Sequence, residues 1–73
     1  MKHYTDRDNN SNVMGYDYGD DWIVVYFKDN SKYTYTSNSA GMSILKRMQH
    51  LADYGDGLNS FISSNKPGYA SKS

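Results

Sequence analysis

Two β-type runs separated by one short polar break constrain this chain more than any other feature. The run Trp22-Ile23-Val24-Val25-Tyr26-Phe27 is β-branched or aromatic throughout, and Lys32-Tyr33-Thr34-Tyr35-Thr36 alternates rings with polar side chains. Runs this close form a hairpin, and the length of its loop decides which side chains face inward. A two-residue loop pairs Tyr26 with Tyr33 and Val24 with Tyr35. A three-residue loop, Lys28-Asp29-Asn30 with Asn30 left-handed, pairs Val25 with Tyr33 and Ile23 with Tyr35. The second register collects Ile23, Val25, Phe27, Tyr33 and Tyr35 on one face. It leaves Trp22, Val24, Tyr26, Lys28, Lys32 and Thr34 on the other. Because a one-residue slip inverts every side chain, burial selects the register with the more apolar face. The spacing therefore predicts the three-residue loop.

Around this hairpin the chain reads as one small α+β domain. A shorter strand at about Asn12 to Asp17, weakened by Gly15, precedes a turn at Asp17-Tyr18-Gly19-Asp20-Asp21. Ser37-Asn38-Ser39 offers N-caps, and behind it Ile44, Leu45, Met48, Leu51 and Ala52 recur at helical spacing. Gly55 ends that helix, and Asp56 can cap a shorter one carrying Leu58, Phe61 and Ile62. The prediction is a three-stranded antiparallel meander followed by one or two helices packed on one face. Residues 1–11 are polar and without period, and read as a disordered N-terminal arm. Residues 12–64 form the domain, and residues 65–73, broken by Pro67-Gly68, read as a flexible tail.

Composition excludes more than it assigns. A chain of 73 residues buries only about 60% of its unfolded surface. It has no cysteine, so neither a disulfide nor a thiolate zinc site can staple it. No run approaches the roughly 18 apolar residues of a membrane span. Met1 to Asp8 lacks the apolar core of a secretory signal, so a soluble, cytoplasmic protein is expected. Formal charge sums to zero but unevenly, with a net −3 over residues 1–21 and +3 over residues 22–73. A mildly basic second part falls well short of a duplex-DNA binder.

Several side-chain groups admit both a chemical and a plain structural reading. Trp22 and Tyr26 beside Lys28 and Lys32 place ring faces next to cations on an uncovered sheet face. Such a face can stack an unpaired base and hold its phosphate, or dock a protein. It can equally be an ordinary solvent face with one exposed ring. Tyr33 and Tyr35 suit base stacking, or buried rings with hydroxyls at the rim. Lys46, Arg47 and His50 either extend a basic strip or form the wet side of an amphipathic helix. Asp17, Asp20 and Asp21 match no calcium loop and read as turn residues. With two histidines, His3 and His50, no thiol, no phosphate loop and no metal-ligand spacing, nothing points to an enzyme, a cofactor or a metal.

Gly15-Tyr16-Asp17, Ile23-x-Val25-x-Phe27, Tyr33-Thr34-Tyr35 and Asn59-x-x-Ile62 follow one another in an order that resembles the KTSC family. That family is named for the C-terminal domain of some lysyl-tRNA synthetases and is found also as free-standing bacterial and phage proteins. The likeness spans about residues 12–62. Where the family usually has glycine in the hairpin this chain has Asn30, and Ser37-Asn38-Ser39 stands where Val-Pro often follows. What the resemblance implies is contact with RNA, suggested by the synthetase context. The expectation is a non-catalytic module binding RNA or single-stranded nucleic acid through Trp22, Tyr26, Lys28 and Lys32 with help from Arg47. The alternative is a protein-interaction module, such as a phage or mobile-element accessory protein acting on a host factor. A sheet edge open to self-pairing would also allow a homodimer.

Overall fold

The protein is described by a computed structural model over residues 1–7 and 11–73. Its framework is an antiparallel sheet with strands in chain order: β1 (Lys2–His3), β2 (Val13–Tyr18), β3 (Trp22–Phe27), β4 (Lys32–Thr36) and β5 (Ser71–Lys72). Three helices, α1 (Ser37–Ala40), α2 (Met42–Tyr54) and α3 (Leu58–Asn65), lie between β4 and β5. This is the small α+β meander with helices that the sequence predicts, widened by one short strand at each edge.

The hairpin of β3 and β4 has the three-residue loop. Val25 pairs with Tyr33 and Ile23 with Tyr35, and Asn30 takes the left-handed conformation at φ 71°. Phe27 and Ser31 close the bend, with the Phe27 amide donating to the Ser31 carbonyl at 2.9 Å. The inward face is therefore the apolar one. Ile23, Val25 and Tyr35 are buried against Leu45, Met48 and Ala52 of α2 and Leu58 of α3. Phe27 and Tyr33 lie partly buried at the edge of the same cluster.

Helix α2 follows the expected stripe and ends at Gly55, whose left-handed φ of 83° lets its amide reach back to the Leu51 carbonyl. Two caps differ from expectation. Thr36, not the Ser37-Asn38-Ser39 run, caps the helical segment after β4, exchanging bonds with Ser39 around the short α1; Gly41 then separates α1 from α2. Gly57, not Asp56, occupies the N-cap of α3, with no side-chain bond to the helix. The inward packing of Leu58 positions that helix without a carboxylate cap.

The arm expected over residues 1–11 is ordered over residues 1–7; Asp8 to Asn10 lie outside the described residues. Lys2 and His3 pair with Tyr16 and Gly15. Tyr4 is 2% exposed in the core, where its hydroxyl accepts from the Leu58 amide at 3.2 Å. Arg7 closes the end of α2, its Nε donating to the Tyr54 carbonyl at 2.7 Å and its amide to the Gly55 carbonyl at 2.8 Å. A cation suits that position because the last helical carbonyls carry partial negative charge. One buried ring and one guanidinium thus order a segment that looks featureless in composition.

The tail expected over residues 65–73 is also engaged. Asn65 completes α3, and Ser71 and Lys72 pair with Thr34 and Tyr33. Tyr69 sets its ring edge-on against Tyr33, with centroids 5.0 Å apart. Both terminal segments thus pair with the edges of the sheet.

Burial separates two residues that are adjacent in sequence. Ile23→Ala removes a fully buried side chain and should cost about 2–5 kcal/mol in urea melts. Trp22→Ala should cost far less, because its indole lies on the face away from the helices and is 37% exposed. Equal losses would show that both faces are covered.

Candidate functional site

Three cross-strand rows make up the outer face of the sheet. Gly15, Tyr26 and Lys32 form one, Asp17, Val24 and Thr34 the next, and Trp22 with Thr36 the last. Tyr26 donates its hydroxyl to Asp17 at 3.1 Å, and the amino group of Met1 lies 3.5 Å from the same carboxylate. The indole of Trp22 rests on Gly19, where an added Cβ would come within 2.3 Å of Nε1. That contact and the Gly19 amide bond to the Trp22 carbonyl at 3.1 Å fix the ring on its turn.

The turn is in turn held by α2. Gln49, a buried residue of α2, donates its side-chain amide to the carbonyls of Gly19 and Trp22 at 2.8 and 3.1 Å. Lys46 donates to the Asp20 carbonyl at 3.1 Å, so it braces the turn rather than extending a basic strip. The sequence signal for Gln49 was only its polar place beside an apolar stripe.

The predicted site residues divide between different parts of the molecule. Trp22, Tyr26 and Lys32 share the outer face. Lys28 lies beyond the end of β3, 3.6 Å from Asp6. Arg47 is exposed on α2, across the sheet from the Trp22 row, and does not join it. Tyr33 and Tyr35 face inward with near-parallel rings 6.3 Å apart. Burial pushes the Tyr35 hydroxyl up to about 12, with its tyrosine neighbours adding to the effect. At 2% exposure Tyr35 is part of the core, as the plain reading of that strand has it.

Beside those two rings runs a cleft of about 380 Å³ between β4 and α3, lined by Phe27, Tyr33, Tyr35, Asn59, Ile62 and Tyr69. Asp29 and Lys66 stand at its mouth. Bonds from the Ser31 hydroxyl and amide hold the Asp29 carboxyl below the usual range, so it is charged at neutral pH. Its volume and aromatic lining fall in the range of sites that accept a side chain or a small ligand.

A third cluster joins α2 to β2. The hydroxyls of Tyr16 and Tyr18 both donate to the Asp53 carboxylate, the first at 2.9 Å. Lys2 lies over both rings, 5.9 and 5.4 Å from their centroids. The Tyr18 bond, followed by that of Tyr16, lowers the Asp53 carboxyl below its ordinary value. Burial, then the bond to Asp53, pushes the Tyr16 hydroxyl up to about 12.

Among the described residues no group of three or more His, Asp or Glu lies together as a metal site, and no helix is long and apolar enough to cross a membrane. Comparison of the chain with protein-family models, with curated proteins and with solved structures gives no match.

Two titrations follow from these surroundings. Asp53 favours the folded state above the ordinary carboxyl range, and that contribution is lost as pH falls through its lowered folded value. Asp53→Asn should therefore lose stability at neutral pH and show a shallower acid-side decline in thermal melts than the parent. For Tyr16 and Tyr35 the sign is opposite: their hydroxyls favour folding below the ordinary phenol value of about 10, and that contribution is lost as pH rises through about 12. Phenolate absorbance should show a late-titrating component that shrinks in Tyr35→Phe; an unchanged curve would contradict the burial of that ring.

Proposed function

We propose that the chain is a small non-catalytic binding module whose outer sheet face holds a protein partner. The observation that carries this reading is the row of Trp22, Val24 and Tyr26 on the face turned away from the core. Rings on a rigid sheet offer large contact area at little cost in side-chain freedom, and Trp and Tyr are the residues most often found at the centre of such contacts. Charge supports a protein over a nucleic acid. Lys28 is drawn to Asp6 and Arg47 is elsewhere, so Lys32 is the one predicted cation beside the rings, and Asp17 shares its face. A near-neutral surface gains little from phosphate.

A second reading is contact with unpaired RNA, favoured by Trp22, Tyr26 and Lys32 lying together and by the resemblance to the KTSC family. On the first reading the partner belongs to the cell in which the chain acts, as for an accessory protein of a phage or mobile element.

Immobilised protein and its Trp22→Ala variant, each exposed to lysate with and without nuclease, separate the two. The protein reading expects a partner retained through nuclease and moderate salt, and lost with Trp22→Ala. Retention abolished by nuclease, together with amide shifts in β3 and β4 on adding short RNAs, would replace it with the RNA reading. Equal capture by parent and variant would remove the outer face from consideration.

A further inference from the structure

The segment after α3 behaves as a ligand of its own domain. From Lys66, left-handed at φ 45°, the chain crosses α1 and returns along β4. There the Ala70 amide donates to the Thr34 carbonyl at 2.7 Å, and Lys32 and Ser73 exchange two backbone bonds at 2.9 and 2.7 Å. Tyr69 crosses Tyr33 and Tyr35 edge-on, and Lys72 Nζ lies 5.3 Å from the centre of the Tyr33 ring. Asp29, at the mouth of the cleft, attracts the same ammonium.

Residues Gly68 to Ser73 are all exposed, and Tyr69 retains 50% of its surface. The attachment is therefore backbone pairing along two residues with three flanking backbone bonds, the close approach of Gly68 to Ser39, one ring set edge-on against two others and one cation over a ring. Segments held by so few buried contacts open at small cost. The cleft beside Tyr69 leaves space between Tyr33 and Ile62 that the strap does not fill. A competitor with the same backbone pairing and a larger side chain at that place would bury more.

We propose that the β4 edge and its adjoining aromatic cleft form a peptide-binding site, for an extended partner segment carrying an aromatic residue three places before a lysine or arginine. The chain's own Tyr69 and Lys72 display that spacing and occupy the site in the closed state. A partner adds as a strand antiparallel to β4: main-chain bonds supply affinity, and the two side chains supply selectivity. The strap lowers apparent affinity in proportion to the fraction of time it is seated. This site is on the opposite side of the sheet from the Trp22 row and does not depend on it.

Gly68 gives the means to test it. An added Cβ there would stand 2.3 Å from the Ser39 carbonyl oxygen, a backbone atom that cannot swing away, so Gly68→Ala loosens the strap in the full chain. Tyr69→Ala loosens it without a backbone clash and serves as the second variant. The probe is a fluorescent peptide with the sequence of residues 66–73, followed by anisotropy. It should bind both variants at least about 10-fold more tightly than the parent, as expected when a seated competitor is removed. Amide shifts should appear at Tyr33 and Thr34. Replacing the probe's tyrosine or its final lysine with alanine should abolish most of the gain. Equal affinity for parent and variants, indifference to the probe's tyrosine, or shifts confined to the Trp22 face would overturn the proposal. So would a concentration-dependent dimer of Gly68→Ala, which would show straps exchanging between copies instead of admitting a partner.

Discussion

The left-handed bend at Asn30 is the constraint on which both faces of this molecule depend. Asn30 accepts a positive φ more readily than most residues because its short polar side chain crowds the backbone little. Its amide donates to the Phe27 carbonyl at 3.0 Å, and Asp29 receives the Ser31 amide at 3.0 Å and the Ser31 hydroxyl at 2.6 Å. These bonds fix the loop at three residues. One residue fewer would pair Tyr26 with Tyr33 and Val24 with Tyr35, setting both tyrosines on the face of Trp22 and leaving Thr34 and Thr36 beside Val25 and Ile23. The cluster of Leu45 and Met48 would then lose the Tyr35 ring and gain threonine hydroxyls in its place.

Given that register, tyrosine carries much of the work that aliphatic residues do in larger cores. Tyr4, Tyr16 and Tyr35 supply buried rings, and Tyr18 and Tyr33 pack against them from the rim. The hydroxyls that reach polar partners tie elements together: Tyr4 to the first turn of α3, Tyr16 and Tyr18 to Asp53 on α2. A buried hydroxyl without a partner costs on the order of 1–3 kcal/mol, so a small core can use tyrosine only where such partners exist. No buried side-chain nitrogen or oxygen among the described residues lacks one.

The sequence made the central hairpin legible because its two signals agree: β-branched alternation sets the strands, and a polar three-residue break sets the register. Helix α2 was equally plain, since its stripe and Gly55 both mark its end. The edge strands were not. Lys2–His3 and Ser71–Lys72 are too short to show a period of two, and their order comes from contacts with residues far along the chain. Tyr4 stands alone in a polar run, and nothing local distinguishes it from an exposed ring such as Tyr54. The inward placement of Tyr33 and Tyr35 could be read from register alone. The separation of Arg47 from Trp22 follows from the same register, since a helix that covers the Ile23 face cannot bring its wet side to the uncovered Trp22 face.

Both edges of the sheet are closed by the chain's own terminal segments, yet the two closures differ in strength. Open edges invite pairing with other chains, and a short added strand is one way to blunt them. At β1 the closing segment is anchored by a 2%-exposed ring in the core and by Arg7 on the end of α2. At β5 the corresponding ring is half exposed and lies across the surface of its neighbours. Opening β1 therefore means removing Tyr4 from the core and exposing the Leu58 amide it binds. Opening β5 lifts Tyr69 from Tyr33 and Tyr35 and frees the backbone groups of Lys32 and Thr34, with no fully buried side chain of the strap to extract. Of the two edges, the β4 edge is therefore the one that opens at the smaller cost, because no fully buried ring holds its closing strand.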